Sequence, residues 1–264
     1  KYTDPQNNKI GGEANQNGPS WEMRILVANE TGTDLMIGLP VLASDDYITN
    51  LANLLRYGSD GVTPYTSPQA NPVFPPLNPH LRVFFELGNE LWNGLGAAFG
   101  VNYGNINAVV AEHADAADAI YAIFNNDGLP TTKNSDGYYD SLLTWRFRYI
   151  VLRVAQISDL FRAVFGDAAM MTRIRPLYEY QYWYTSYTAD PSLTWAESYF
   201  HPTPLSHYIY GGGGATYYVT SNTSGLTTLL PDPEFNATTV PAGFNVAPAG
   251  TAWTFTGTAG IYRL

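Results

Sequence analysis

The chain has 264 residues, 45% of them hydrophobic and 14% charged, so it can bury a large core, and wholesale disorder is excluded. Its 23 acidic against 13 basic residues leave a net charge of −10, which argues against binding nucleic acid or an anionic membrane surface. Cysteine is absent, which removes disulfides, thiolate nucleophiles and cysteine-based metal centres.

Residues 1–19 are polar and read as a loop. From Pro19 the spacing predicts a helix, with Trp21, Ile25, Leu26 and Ala28 on one face and Gly32 as its stop. Asp34 to Pro40 is a short apolar run that suits a buried parallel strand. Ser44-Asp45-Asp46 caps a second helix whose stripe is Tyr47, Ile48, Leu51, Leu54 and Leu55, closed by Gly58. Six prolines between Gly61 and Pro79 predict a long ordered loop. A second strand follows over Leu81–Gly88.

Ala108 to Phe124 reads as one helix, and Asp140 to Phe165 as the longest. The buried stripe expected for the longest is Leu143, Phe147, Ile150, Val151, Val154, Ile157, Phe161 and Val164. Arg173–Tyr180 reads as a third strand, Trp195–Phe200 as a helix, and Ser206–Tyr210 as a fourth strand entering a tight turn at Gly211–Gly214. Alternation of strand and helix is the rhythm of a parallel α/β sheet. Beyond Thr220, Ser, Thr, Asn, Gly and Pro dominate, and Thr251–Gly257 alternates like an antiparallel strand. The expected division is an α/β portion over 1–221 and a linker with a partial β-sandwich-like segment over 222–264.

The chemistry gathers in Phe84-Phe85-Glu86-Leu87-Gly88-Asn89-Glu90-Leu91-Trp92-Asn93. An apolar strand there ends in Asn-Glu and then Trp-Asn, and parallel α/β folds build their active sites at the carboxyl ends of strands. Glu90 is placed for acid–base work, Asn89 and Asn93 for binding hydroxyls, and Trp92 for stacking on a sugar ring. The competing reading is a helix-capping Asn89 and a solvent-facing Glu90. Glu86 shares strand parity with Glu90 and would tune its charge. Glu179, at the end of the third strand, is the best second carboxylate, with an ion pair to Arg173 or Arg175 as its structural alternative. Twenty Tyr, six Trp and twelve Phe, with Tyr182 and Trp183 in a dense cluster, suit flat, neutral, hydroxyl-rich ligands. His80, His113, His201 and His207 are scattered without metal-ligand spacing, so neither metal nor cofactor is expected. No apolar run reaches the ~20 residues needed to span a bilayer, so no membrane insertion is expected.

Leu87-Gly88-Asn89-Glu90-Leu91-Trp92-Asn93 resembles the fourth-strand signature of clan A glycoside hydrolases, a retaining superfamily on (β/α)8 barrels. The resemblance implies Glu90 as acid/base and Asn89 as its substrate-binding neighbour. The stretches Tyr57–Gly61, Pro64–Pro68 and Asn71–Pro76 resemble large secreted bacterial proteins in which such a barrel is joined to β-sandwich modules. What this implies is a (β/α)8 barrel, complete or incomplete, with a short all-β segment behind it. The function it implies is hydrolysis of a neutral polysaccharide or oligosaccharide, outside the cell or at its surface. Under that alignment the strands here are the third to the sixth, and no segment matches the seventh, which carries the family's nucleophilic glutamate. The alternatives are a non-catalytic carbohydrate-binding protein and a structural extracellular protein that self-associates through its C-terminal tail.

Overall fold

A computed structural model describes residues 19–214 apart from 95, 130, 138 and 181–187, with the side chains of 96–99 and 214 also outside the description. The expectations placed on Tyr182, Trp183 and the 222–264 segment lie outside the described residues.

The architecture is mixed α/β. Helix α1 spans Trp21–Thr31, strand β1 Leu35–Leu39, helix α2 Asp45–Tyr57 and strand β2 Val83–Leu87. Helices α3 (Gly96–Ala116), α4 (Ala119–Phe124) and α5 (Leu142–Phe165) follow, then β3 (Ile174–Tyr180), α6 (Ala189–Phe200) and β4 (Gly211–Gly214). The sheet has the order β1-β2-β3-β4, and every pair is parallel. Each strand therefore lies beside its sequence neighbour and is joined to it by a helical crossover.

The local signals explain most of these elements. Ser20 and Ser44 cap α1 and α2 by accepting from the N–H of Met23 and Tyr47. The strands bury alternate residues: Ile37, Leu39, Val83, Phe85, Leu87, Ile174, Tyr178 and Tyr180 are buried. Phe85 stacks on Phe161 of α5 with ring centroids 4.7 Å apart. The crossover helices touch in series, α1 on α2, α2 on α5 and α5 on α6, and form a continuous layer. The other residues of the strands, Met36, Gly38, Phe84, Glu86, Arg175, Leu177 and Glu179, alternate with this buried row and point to the opposite face.

Three expectations are corrected. The single helix expected over 108–124 starts earlier, at Gly96, and breaks at Ala117, whose φ is 48°. Asp118 causes the break: its Oδ1 accepts from the N–H of Ile120 and Tyr121 and starts a new helix, while its Oδ2 meets His113 Nδ1 at 2.6 Å. Asp118→Ala is expected to cost about 1 kcal/mol through loss of this cap, read as a lower urea midpoint at unchanged slope. Leu143, expected in the stripe of α5, is 46% exposed, and Val164 is half-buried. The strand expected at 206–210 is a 3-10 turn at Leu205–His207, and the Gly211–Gly214 run expected as a turn is β4 itself. Glycines carry no side-chain pattern, so their pairing with Leu177–Tyr180 is purely a backbone event.

The proline-rich loop is pinned where Ser59 exchanges both backbone hydrogen bonds with Phe74, at 3.0 and 2.9 Å. Gly58 makes that closure possible, with φ at 80° and the Phe74 carbonyl oxygen occupying the space a Cβ would need. Gly58→Ala is expected to destabilise the chain by about 3 kcal/mol, measured by chemical denaturation.

No helix among the described residues is long and apolar enough to cross a membrane.

Candidate functional site

The carboxyl ends of β2 and β3 bring Glu86, Glu90 and Glu179 together. Glu179 sits one residue before the end of β3, and its Oε2 accepts from the main-chain N–H of Glu90 at 3.1 Å. This replaces the ion pair expected with Arg173 or Arg175. Arg173 instead donates to the carbonyls of Leu81, Leu77 and Asn78. Arg175 lies over the rings of Phe84 and Tyr210 and donates to the Thr172 carbonyl.

A turn, rather than strand parity, aims Glu90. β2 ends at Leu87, and Gly88 and Glu90 then take positive φ values of 69° and 49°. Gly88 has no room for a side chain, because a Cβ there would meet Leu91 Cδ2 at 2.6 Å and Val41 Cγ2 at 3.0 Å. A left-handed Glu costs roughly 1 kcal/mol, and such strain collects where a side chain must be held in one direction. The turn closes with Asn93 N–H on the Glu90 carbonyl at 2.8 Å. The Asn93 side chain then donates to the Glu90 carboxylate, also at 2.8 Å. Asn93, expected to bind substrate, thus holds Glu90 in place. Asn89 is exposed, and Trp92 is half-buried against the core. The Trp92 indole N–H is itself buried and has no hydrogen-bond partner.

Glycines flank the carboxylates on both sides. Gly38 of β1 pairs with Glu86, and the Glu86 Oε1 lies 3.9 Å from where a Gly38 Cβ would be. Gly213 of β4 pairs with Glu179 and has open space where a side chain would stand. The glycine strand therefore leaves the Glu179 side of the site unobstructed.

The surroundings keep protons on two of these groups. Burial, aided by the charge of Glu179, pushes the Glu86 carboxyl up to about 8. Burial pushes Glu179 up to about 7; the Glu90 N–H bond works against this, and the Glu90 charge adds to it. Near neutral pH Glu86 and Glu179 therefore keep protons that a solvent-exposed glutamate has released. No cluster of three or more His, Asp or Glu side chains able to hold a metal occurs among the described residues.

Comparison with family models, curated proteins and solved structures returned no match. The class that the fold and site define is therefore structural: an α/β protein with a wholly parallel four-stranded sheet and a carboxylate cluster at the carboxyl ends of its two central strands.

Proposed function

We propose that this site hydrolyses a glycosidic bond in a neutral polysaccharide by retaining double displacement, with Glu90 as acid/base and Glu179 as the second carboxylate. The observation that carries this reading is the bond from the Glu90 N–H to the Glu179 carboxylate. It joins two residues 89 positions apart at the mouth of the sheet, where hydrolysis needs a carboxyl group on each side of the scissile bond. In the first step the acid protonates the leaving oxygen while the partner carboxylate bonds to the anomeric carbon. In the second, water loses its proton to the former acid and displaces the enzyme carboxylate.

The raised Glu179 supports a second assignment of the parts, in which Glu179 is the proton donor and the Glu90 carboxylate attacks. Azide rescue separates the two. Azide reacting with a glycosyl–enzyme intermediate formed in an acid/base Glu→Ala variant yields the retained glycosyl azide. Azide standing in for a missing nucleophile yields the inverted one.

The fold belonging to this proposal is a (β/α)8 barrel in which β1–β4 are consecutive strands. Strand order that follows chain order without reversal, and crossover helices in one layer, support it. The protein would act outside the cell or at its surface. The experiment is a panel of cellulose, xylan, mannan and related glycans with reducing-end release as the readout. Binding without release would favour a carbohydrate-binding or structural protein instead.

A further inference from the structure

Asn93, whose side chain holds the Glu90 carboxylate, is followed directly by Gly94. Asn-Gly is the pair in which an asparagine most readily loses its side-chain amide, because a following residue without a side chain leaves its main-chain nitrogen free to approach. The chain has one other such pair, Asn17-Gly18.

The surroundings of Asn93 leave this chemistry open. A helix would tie the following main-chain N–H into its ladder. Asn93 and Gly94 lie in neither helix nor strand, between the Glu90 turn and the start of α3 at Gly96. Asn93 is half-buried and Gly94 is exposed, so water reaches the linkage. The fold does not demand a glycine at 94. Its backbone stays out of the left-handed region, and a Cβ there would meet nothing nearer than the Tyr103 ring at 3.5 Å, an ordinary contact. An alanine would fit.

The reaction balances without any co-reactant but water. The Gly94 nitrogen bonds to the side-chain carbonyl carbon of Asn93 and gives up its proton. The bond from that carbon to Nδ2 breaks, and the nitrogen leaves as ammonia with the proton. Water then opens the cyclic imide at either carbonyl, giving aspartate or isoaspartate, whose main chain runs through the side-chain carbon. The atom lost is the one that matters, since Nδ2 is what donates to Glu90 Oε2 at 2.8 Å. An aspartate there sets a second carboxylate against Glu90, and two carboxylates so close do not both stay charged. Isoaspartate also lengthens the main chain between the Glu90 turn and α3.

We propose that Asn93 is a self-modification site, whose conversion with Gly94 to aspartate and isoaspartate detaches Glu90 and ends the working life of the site. The end of activity rests on the glycan reading of Glu90; the conversion and the detachment do not.

The test ages the full chain at neutral to mildly alkaline pH and follows it by peptide mapping with mass spectrometry and isoaspartate detection. Residue 93 is expected to gain the mass difference between a hydroxyl and an amino group and to appear as both isomers. Gly94→Ala should slow this at least ~10-fold, because its methyl group hinders ring closure. Glycan hydrolysis should fall in step with the converted fraction. Detachment has its own readout: Asn93→Asp should melt roughly 3 °C below the wild type, for the loss of a hydrogen bond to a charged group. Adding Glu90→Gln to it should recover that loss, because the new amide donates to the new carboxylate. An Asn93 that stays intact, whether or not Asn17 converts, overturns the proposal. So does converted protein that cleaves glycan at an undiminished rate, or an Asn93→Asp variant as stable as the wild type. If no glycan is cleaved while residue 93 converts and the melting pattern holds, the hydrolase reading fails and the modification site stands.

Discussion

Glu90→Gln is expected to lower glycan hydrolysis by about 10²–10⁴-fold while leaving the fold and sugar binding intact. Glutamine keeps the shape and still accepts from Asn93, but it neither donates a proton as an acid nor takes one back from water. Glu179→Gln should fall equally far, because its amide oxygen can still accept the Glu90 N–H while the carboxyl chemistry is gone. The double variant should be little worse than either single one, since the two groups act as a unit. The pH profiles carry the finer information. With Glu179 raised to about 7, one limb of the wild-type profile should fall near that value, and Glu179→Gln should remove it. Glu90→Gly is a useful companion: it relieves the left-handed strain at φ 49°, so it should gain roughly 1 kcal/mol of stability while losing activity. Undiminished turnover in Glu90→Gln would sink the assignment, and a Glu90→Gly variant no more stable than the wild type would remove the strain argument.

The legible parts of this molecule are those where side-chain pattern and backbone demand coincide. β1 and β2 are short apolar runs with breakers at both ends, and α2 shows a serine cap and an apolar stripe that are both used. β4 was illegible because four glycines offer no pattern, although their bareness is what opens the space beside Glu179. The buried arginines of α5 were illegible for the opposite reason. Charge at helical spacing reads as a solvated face, yet Arg148 and Arg153 turn inward to Asp127 and Asp45, partners far away in sequence. At the site, Glu90 was visible from its motif, but the means of aiming it was not. Strand parity put Glu86 and Glu90 on one face, whereas the backbone leaves the extended region at Gly88 and swings Glu90 onto Glu179. The choice between an arginine and the Glu90 main-chain N–H as the partner of Glu179 depended on where β3 docks against β2, which is a tertiary fact.

Thermal stability should fall as the pH rises from about 5 to 9, and Glu86→Gln should remove much of that fall. The sign follows from the direction of the shift. A carboxyl raised in the folded state binds its proton more tightly there than in the unfolded chain, so its contribution is complete below the ordinary value of 4.5. That contribution is lost as the pH climbs through about 7 for Glu179 and about 8 for Glu86. The gap at Glu86 sets an upper bound of about 5 kcal/mol, and solvent around a half-buried carboxyl brings the expected loss to about 2–3 kcal/mol. Glutamine carries no charge at any pH, so Glu86→Gln should match the wild type at pH 5 and exceed it by several degrees in Tm at pH 9. Glu179→Gln should flatten the curve near pH 7 in the same way, at the cost of turnover. A wild-type Tm that is level across this range, or a Glu86→Gln variant with an unchanged slope, would show that water reaches these carboxyls freely. The wild type keeps both groups in spite of this cost. A sheet that gave up its half-buried carboxyls would gain alkaline stability and lose the protons they keep beside Glu90.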